Sequence, residues 1–425
     1  MVRRATPGLA DRSMTERRAH AKGGPANDLF SNARRPRQFG EARGGGGRAP
    51  ARSDYRRRMA RNAAIISLLA LVTAGPLAHG SPSKKGARHR LAASKESVQW
   101  GWLDVKEPPR LTIESGDTVS VETWYHALDQ IKPRSSDGPL GGPSMEEIVD
   151  LRKENDGGGP HSVTGPIYVN GAEPGDTLEI RILKIVPKEF AQNFNLPGKQ
   201  FPTGVFPQDF PNGFVRYYKL DVARMTTVFK PGIVLDLKPF PGLIAAGVDP
   251  AEPKEKTGPP IKDGKGRTST LRPWKNGSNM DLNELQAGAT LFLPVFNRGG
   301  LIWIGDAHCR QGNGEVNLEA LECAFKEIAI QVIVRKDLKT EWPRAENKSH
   351  WIFTGFDEDL DEAAKIAVKN AIDWLAGQTI VPMDRYEAYA LASMAADCRI
   401  TEMVDIRKGV HCMVPKSIFT RRGKR

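Results

Sequence analysis

The chain has 425 residues, of which 39% are hydrophobic and 26% charged, and its formal net charge is +12. Residues 1–58 contain fifteen Lys/Arg and five Asp/Glu, whereas residues 81–425 contain 46 basic and 45 acidic side chains. The excess charge therefore lies at the N-terminus, and the near-neutral body carries no Lys/Arg stripe with interleaved aromatic residues, which excludes nucleic acid as the expected partner.

The next segment, residues 59–80, has the layout of a secretory signal peptide. A basic stretch, "RRRMARN", precedes a short apolar run, "AAIISLLALVTAG", and "PLAHGS" offers small residues for cleavage, with Met59 as the natural start. The apolar run is too short to cross a bilayer, so no stable membrane span is expected. We predict a periplasmic or secreted protein, with residues 1–58 as a disordered extension or over-extended gene start and residues 81–97 as a linker.

From residue 98 onward the pattern is typical of β-structure. Residues 110–124, "RLTIESGDTVSVETW", predict a strand, a Gly-Asp turn and a second strand, and residues 165–187 repeat this arrangement. The Pro- and Gly-rich region 193–273 is expected to form long loops with short strands at "FVRYYKL" and "GIVLDL". Three further strands are predicted, by alternation or by apolar runs, at residues 301–308, 315–325 and 327–334.

The C-terminal part changes character. Residues 357–378 predict an amphipathic helix with an acidic first turn, and residues 384–397 predict a second helix. Two short strands are then predicted, at residues 399–406 and 409–415. The expected fold is mainly β with a small C-terminal α+β element, divided in sequence into residues 98–290 and 291–425.

A candidate site lies at the end of the strand "LIWIGDAH". Asp306 and His308 share one face of that strand, because residues i and i+2 point to the same side. The "QGNG" turn can bring Glu315 back to the same place, and Asn279 with Asp281 repeats the i, i+2 spacing in "GSNMDL". A carboxylate beside an imidazole suits a metal site or an acid–base pair, and a second carboxylate would complete three ligands for a divalent ion such as Zn²⁺.

Other interpretations of these residues stay open. A lone D-x-H is more commonly a His ring held by a nearby carboxylate than a ligand pair. Cys309 suggests a thiol nucleophile, but it should point away from His308 and is better interpreted as a buried thiol. His126 and His161 are second-tier candidates in loops or at strand ends. The four cysteines lack zinc spacing and are expected to be buried thiols or one optional bridge: Cys309, Cys323, Cys398 and Cys412.

Five segments in order resemble the acetamidase/formamidase family, from about residue 100 to residue 419. They are "HSVTGPIYVNGAEPGDTLEI", "KPFPGLIAAG", "GSNMDLNELQAGATLFLPV", "GDAHCRQGNGEV" and "EAYALASMAADCRITEMVD…KGVHCMVPKSIF". The resemblance implies a β-rich fold with jelly-roll-like and barrel-like parts, a homo-oligomer, and hydrolysis of small carboxamides to a carboxylate and ammonia. Related members act on cyclic amides (lactams).

The resemblance also assigns site positions. The family's GD-x-H-x-x-QG-x-GE pattern falls on Gly305, Asp306, His308, Gln311, Gly312, Gly314 and Glu315. Its GGN-x-D pattern falls on Gly277, Asn279 and Asp281, and its GP-x-x-V-x-GA-x-PGD pattern falls on residues 165–176. Ser278 replaces a usual Gly, and Asn313 stands where many members have Asp, so residue 313 is not assigned as an essential acid.

Amide hydrolysis needs a polarised carbonyl, a nucleophilic water and a proton for the leaving nitrogen. A divalent metal, expected to be zinc, on the three ligands Asp281, Asp306 and His308 would supply the first two. Glu315 would carry the proton from water to nitrogen. Gln311 or the backbone N–H groups of Gly312 and Gly314 would donate to the developing oxyanion.

Three alternatives to this hydrolase of linear carboxamides follow from the same residues. A lactam hydrolase would use the same site on a cyclic amide. A metal-free hydrolase would use Cys309 or another nucleophile. A non-catalytic extracytoplasmic protein would bind a small molecule on the same scaffold without turnover.

Overall fold

The computed structural model describes residues 86–134, 140–155, 157–254, 256, 262–263 and 265–420. They lie in one of the two units into which the chain divides, Gly80–Arg425. The predicted N-terminal extension, residues 1–58, and signal peptide, residues 59–80, lie outside the described residues. Within the described part, no helix has the length and apolar character that crossing a membrane requires.

Strands dominate the described residues, which confirms the predicted fold class. The first twelve are β1 Arg88–Leu91, β2 Val98–Trp100, β3 Trp102–Leu103, β4 Leu111–Ile113, β5 Thr118–Val121, β6 Ser162–Val169, β7 Thr177–Pro187, β8 Phe190–Asn195, β9 Phe214–Asp221, β10 Thr226–Lys230, β11 Ile233–Asp236 and β12 Phe240–Ala245. The others are β13 Thr268–Ser269, β14 Pro273–Trp274, β15 Gly277–Asn279, β16 Thr290–Pro294, β17 Ile302–His308, β18 Glu322–Cys323, β19 Phe325–Arg335, β20 Arg344–Glu346, β21 His350–Asp357, β22 Asp397–Glu402 and β23 Lys408–Pro415.

Helices are few. They are α1 His126–Asp129, α2 Met145–Glu154, α3 Leu360–Gly377 and α4 Arg385–Ala395, and a 3₁₀ turn covers Lys416–Ile418. The first is a single turn with left-handed backbone at Ala127 and Leu128. The last two α-helices confirm the helices predicted at residues 357–378 and 384–397.

Two large sheets contain most of the strands. The first has nine strands in the order β1-β5-β19-β7-β16-β20-β21-β23-β22. The second runs β11-β10-β9-β8-β18-β17-β12-β15-β14, and β6 pairs with β17, β2 and β4 beside this path. Each sheet contains strands that precede residue 290 in the sequence and strands that follow it, so this residue marks no boundary between the sheets.

The two predicted Gly-Asp turns are present, and each joins strands of different sheets. One connects β4 to β5 and the other connects β6 to β7; β4 pairs in parallel with β6, while β5 and β7 flank β19. Gly116 and Gly175 have φ of 98° and 89°, which residues with a Cβ rarely adopt. Asp117 and Asp176 each accept a hydrogen bond from the backbone N–H three residues earlier, at 3.0 and 2.9 Å. The weak sequence repeat is therefore a structural repeat.

The main core lies between the inner faces of the two large sheets. Val119 on β5, Ile180 on β7 and Ile330 on β19 belong to the same buried cluster as Phe240 on β12 and Ile304 on β17. All five side chains are fully buried. Removal of this apolar surface from water is the main stabilising contribution that the sheets make, and it holds β12 and β17 in place beside each other.

A second core joins α3 to β21 and β23. Ala363, Ala367, Ala371 and Leu375 recur at i+4 spacing on one helical face and are fully buried. Gly355 on β21 allows this approach, because a Cβ there would collide with the backbone carbonyl of Ala363. The C-terminal α+β element is thus packed directly on the first sheet.

Two of the predicted segments need correction. Residues 315–325 are not one strand: Glu315 and Leu318 have left-handed backbone, with φ of 45° and 92°, and only Glu322–Cys323 pairs as β18. The predicted linker contains a strand, β1, which pairs in parallel with β5. Asp117 anchors it by accepting a hydrogen bond from the N–H of Ala87 at 2.6 Å.

All four cysteines form disulfides, Cys309 with Cys323 and Cys398 with Cys412. The expectation of buried thiols or one optional bridge was wrong, because strand pairing brings both pairs together. Cys398 lies directly opposite Cys412 in the β22–β23 register, and Cys323 pairs with Ala307, two residues before Cys309. The bonded Cys309 sulfur has no free thiol, so the structure contradicts Cys309 as the nucleophile of a metal-free hydrolase.

Candidate metal and active site

A cavity of about 190 Å³ lies beside the last residues of β15 and β17 and the first residue of β18. Its polar side is lined by His126, His161, Asn279, Asp281, Asp306, His308, Glu315, Glu319, Glu322 and Asp405. All of these except Asp405, which is half-buried, are at most 7% exposed. The predicted residues Asp281, Asp306, His308 and Glu315 therefore meet in one place, and both second-tier histidines join them.

Strand register explains how these side chains come together. His308 lies opposite Phe240 of β12 on one side and opposite Glu322 of β18 on the other. Asn279 lies opposite Leu243 of the same β12. Polar residues of β15, β17 and β18 thus line one wall, and in β17 the apolar residues Ile302 and Ile304 before them belong to the core.

Gly242 forms the floor of the site. A Cβ at this position would collide with the carboxylates of Asp306 and Asp281 and lie 2.7 Å from Cε1 of His308. Only glycine lets the two carboxylates and the imidazole approach the backbone of β12 this closely.

Three acids of the site have left-handed backbone. The φ angles of Asp281, Asp306 and Glu315 are 48°, 50° and 45°. Such angles are uncommon in residues other than glycine, and they cluster at sites where the surrounding structure imposes them. All three acidic side chains line the cavity.

Gln311 fixes the orientation of the His308 ring. Its side-chain Nε2 donates to the backbone carbonyl oxygens of Asp281 at 3.1 Å and Thr401 at 3.4 Å. Its Oε1 therefore accepts from Nδ1–H of His308, at 2.9 Å. This contact leaves Nε2 of His308 as the nitrogen that faces the cavity.

The cavity-facing nitrogen of His308 lies between two carboxylates. Nε2 is 3.2 Å from Oδ2 of Asp306 and 3.1 Å from Oε1 of Glu322. Burial lowers the pKa of His308, but these carboxylates reverse the effect and raise its pKa well above the usual value. Since a bare lone pair facing two carboxylates would be repulsive, either a proton or a metal cation stands between them.

The second-tier histidines surround Asp306 from the other side. His126 Nε2 lies 2.9 Å from Oδ1 of Asp306 and 3.3 Å from Oε2 of Glu322. His161 contacts Oγ1 of Thr270 through Nδ1 at 2.9 Å and has Nε2 at 3.8 Å from Oδ1 of Asp306. Asp306 is thus the carboxylate around which the three imidazoles are arranged.

Asn279 links two more acids of the site. Its Nδ2 donates to Oδ2 of Asp281 at 3.1 Å and to Oδ2 of Asp405 at 2.7 Å. Both carboxyl groups line the cavity, so the amide holds them apart at a fixed spacing. Asn279 is therefore a positioning residue for the acids on this side.

Acidic groups outnumber basic ones in the cavity lining. Six carboxyl groups face three imidazoles and one guanidinium, Arg152, whose Nη1 donates to the backbone carbonyl of Gly158. Three buried carboxylate oxygens of the lining make no hydrogen bond: Oδ1 of Asp281, Oε2 of Glu319 and Oε2 of Glu322. Buried carboxylates in such excess need protons or a bound cation, and unpaired oxygens of this kind fit a cation.

The pKa values follow from this crowding. Burial, together with neighbouring carboxylates, raises the pKa of Asp281, Glu315 and Glu319 well above the usual range. Burial also raises the pKa of Asp405, to about 7. Asp306 and Glu322 are exceptions. Burial opposes the ionisation of both, but the facing His308 and His161 hold the pKa of Asp306 well below the usual value, and His308 lowers the pKa of Glu322.

Four overlapping groups of three donors have ligand atoms within 4.8 Å of one another. They are His126/His161/Asp306, His126/Glu319/Glu322, Asp281/His308/Glu315 and Asp306/His308/Glu322. Within the described residues, no group of this kind contains Asp281, Asp306 and His308 together. The two aspartates approach different ring nitrogens of His308, Asp281 lying 3.7 Å from Nδ1.

Three residues predicted as oxyanion donors do not line the cavity: Gln311, Gly312 and Gly314. The side chain of Gln311 is already engaged, and the N–H of Gly314 donates to the carbonyl oxygen of Thr401 at 3.0 Å. The glycine turn at residues 311–314 therefore positions the residues that follow it, beginning with Glu315. It does not present its N–H groups to the cavity.

Glu322 and Asp405 were not predicted from the sequence, and Glu319 was assigned no role. Glu322 was hidden because residues 315–325 were interpreted as one strand with Glu315 on its inner face. Pairing Cys309 with Cys323 in a disulfide would have indicated the position of Glu322. Two antiparallel strands joined by this disulfide place His308 opposite Glu322.

Comparisons with known proteins agree on one family. The family model described as Acetamidase/Formamidase family matches residues 92–257 and 261–421. The acetamidase of Mycolicibacterium smegmatis is 30% identical over 200 residues, 37% of this chain and 49% of that protein. The formamidase of Methylophilus methylotrophus is 29% identical over 212 residues, 41% of this chain and 52% of that protein. The matched region thus spans about half the length of these curated relatives.

Solved structures resemble the chain over nearly all of its described part. A crystal structure of an acetamidase from Bacillus halodurans has a TM-score of 0.65 and 25% identity, covering 79% of this chain and 100% of that one. An acetamidase from Yersinia enterocolitica has a TM-score of 0.65 and 26% identity, covering 80% and 94%. A gamma lactamase from Delftia acidovorans, with a TM-score of 0.52 and 22% identity, shares the fold, covering 79% and 94%.

Proposed function

Because the chain belongs to the acetamidase/formamidase family, we propose that it is a hydrolase that converts a carboxamide and water to a carboxylate and ammonia. The observation that carries this proposal is the buried cavity in which three imidazoles face six carboxyl groups. The proposal also draws on the names of the similar proteins, which are acetamidases and formamidases. Few purposes other than catalysis or cation binding suit so many buried acids.

Asp306, His308 and Glu322 are the residues we propose to hold a divalent cation. Their donor atoms converge, and His308 is held with Nδ1 on Gln311, so that Nε2 is free to coordinate. Asp281 approaches the engaged nitrogen, which favours Glu322 over Asp281 as the third ligand. A mixed imidazole and carboxylate set suits zinc, and a cation there would polarise the amide carbonyl and lower the pKa of water.

Glu315 is the residue we propose to move the proton. It lines the cavity and its carboxylate lies within 4.8 Å of the donor atoms of Asp281 and His308. Burial raises the pKa of Glu315, so its carboxylate, when ionised, is a stronger base than that of an ordinary glutamate. It would take one proton from the attacking water and deliver it to the leaving nitrogen, so that the C–N bond breaks as the new C–O bond is completed.

Ammonia release by the purified protein tests the activity. We expect the unchanged protein to release ammonia from linear carboxamides. In the His308→Ala variant the rate of release should fall at least about 1,000-fold, because one of the three proposed ligands of the cation is removed. His350→Ala is the control, since His350 lies on β21 and its ring contacts only Ser349 among the hydrogen bonds described. Binding of amides without turnover would favour the non-catalytic alternative, and turnover of cyclic amides alone would favour the lactam hydrolase.

We also propose that residues 59–80 direct export to the periplasm or outside the cell. Two disulfides support this, since such bonds persist in oxidising compartments and are rare in the cytosol. Fractionation of cells that produce the chain from Met59 should recover the protein outside the cytoplasm, shortened at its N-terminus. Recovery of the same unshortened chain in the cytoplasm would contradict the proposal.

A further inference from the structure

Part of the cavity lining is apolar. This apolar wall consists of Ile131, Ile148, Leu151, Phe194, Leu196 and Leu318. Ile131, Ile148, Phe194 and Leu196 are each at most 4% exposed and belong to one buried cluster, on which Leu151 and Leu318 pack. A molecule that reaches the acids therefore also touches an apolar wall.

Regular elements build this wall. Ile148 and Leu151 are three residues apart on α2, so they lie on the same face of that helix. Phe194 lies on β8 and Leu196 directly follows the last residue of that strand, and both side chains belong to the same buried cluster. The helix starts with a capping box, in which the side chains of Ser144 and Glu147 each accept a hydrogen bond from the other residue's backbone N–H. The wall is therefore a preformed surface.

Its size exceeds what the smallest amides need. The cavity measures about 190 Å³, whereas an apolar cavity of about 150 Å³ in another protein is large enough for benzene. Formamide and acetamide would leave most of the apolar wall without a partner. Water is a poor substitute there, because the wall offers few hydrogen-bonding groups.

We infer that the site takes carboxamides whose acyl group is bulky and apolar, about the size of a branched pentyl or benzyl group. This inference rests on the proposed function and adds the substrate class. The amide group lies at the acids, and the acyl substituent lies between α2 and β8. Each methylene group that the wall buries should raise kcat/KM about fourfold.

A series of amides of similar reactivity tests the inference. Ammonia release is measured for acetamide, propionamide, butyramide, 4-methylpentanamide and phenylacetamide. We expect kcat/KM to rise along the series, by at least about 30-fold from acetamide to the best bulky amide. Hydrolysis of acetamide with no gain, or a loss, for the larger amides overturns the inference and leaves the proposed function standing. Release of ammonia from none of them overturns both.

A change in the wall should reverse the preference. The larger side chain of Leu151→Trp fills part of the cavity. The ratio of kcat/KM for phenylacetamide to kcat/KM for acetamide should therefore fall at least about tenfold. If this variant does not fold, Leu151→Phe is the milder replacement. Lys153→Trp, on the same helix but with a side chain that is 55% exposed, is the matched control. An unchanged ratio in folded Leu151 variants contradicts the inference.

Discussion

Individual side chains of the site are held in position by their neighbours. Gln311 holds the His308 ring, Asn279 holds the carboxyl groups of Asp281 and Asp405, and Gly242 leaves room for the carboxylates above it. Strand parity was sufficient to predict that Asp306 and His308 meet. It could not predict what Gln311 does, because its acceptors are backbone carbonyls of residues 30 and 90 positions away.

At Gly242 the smallest possible substitution should disrupt the site. Gly242→Ala is expected to lower ammonia release at least about 100-fold, because its Cβ would displace the carboxylates of Asp306 and Asp281. Gly377→Ala is the control, since a Cβ there meets nothing within 4 Å. Steady-state kinetics with thermal unfolding on the same samples will distinguish loss of the site from loss of the fold. Full activity of Gly242→Ala would show that the carboxylates do not need this approach.

Gln311→Leu should weaken metal affinity by about 10- to 100-fold, because the His308 ring loses the acceptor that fixes Nδ1–H. Titration of the metal-free protein with Zn²⁺ measures this change directly. Gln200→Leu, at an exposed position, serves as the control. An affinity equal to that of the unchanged protein would mean that Gln311 does not orient the ligand.

Among the elements, the strands and helices with regular periodicity were predictable from sequence. Strands β17 and β19 and helices α3 and α4 lie where alternation or amphipathic spacing predicted them. The segment 315–325 was not predictable, because the alternation of apolar and polar residues does not indicate the left-handed backbone of Glu315 and Leu318. Strand β1 was missed because four residues beside a polar stretch form a strand only when β5 provides a partner.

Strand β23 contains a histidine that should make stability depend on pH. His411 is fully buried, its Nδ1 contacts Oγ1 of Thr401 at 2.7 Å, and its Nε2 makes no hydrogen bond. Burial, with a smaller effect of Arg399, lowers its pKa to about 4 from an ordinary 6.5. The unfolded chain therefore binds a proton first as pH falls, so the stability from neutral His411 is complete above pH 6.5 and is lost as pH falls towards 4.

His411→Gln should accordingly lose less stability on acidification than the unchanged protein. The difference between pH 7 and pH 4 is expected to be about 3 kcal/mol, because the pKa of His411 is lowered to about 4 from 6.5. Urea unfolding at the two pH values measures it, with His350→Gln as the control. Equal pH dependence in the His411 variant and the unchanged protein would exclude this role.

For the whole molecule, the site depends on how distant segments are arranged between two sheets. The cavity lining runs from Trp100 to Ile406, and most contacts that form it join residues far apart in the chain. Sequence patterns predicted the mainly β class and two of the lining segments. They could not predict the pairing of β8, β17 and β18, because register between distant strands depends on packing that no local pattern contains.

The central claim is that the buried acids and imidazoles hold a divalent cation needed for amide hydrolysis. Its most direct test measures ammonia release and bound metal on one sample, before chelation, after exhaustive chelation and after Zn²⁺ is restored. We predict that activity disappears with the metal and returns in proportion to the metal rebound. Undiminished ammonia release from a sample shown to contain no metal would contradict the claim.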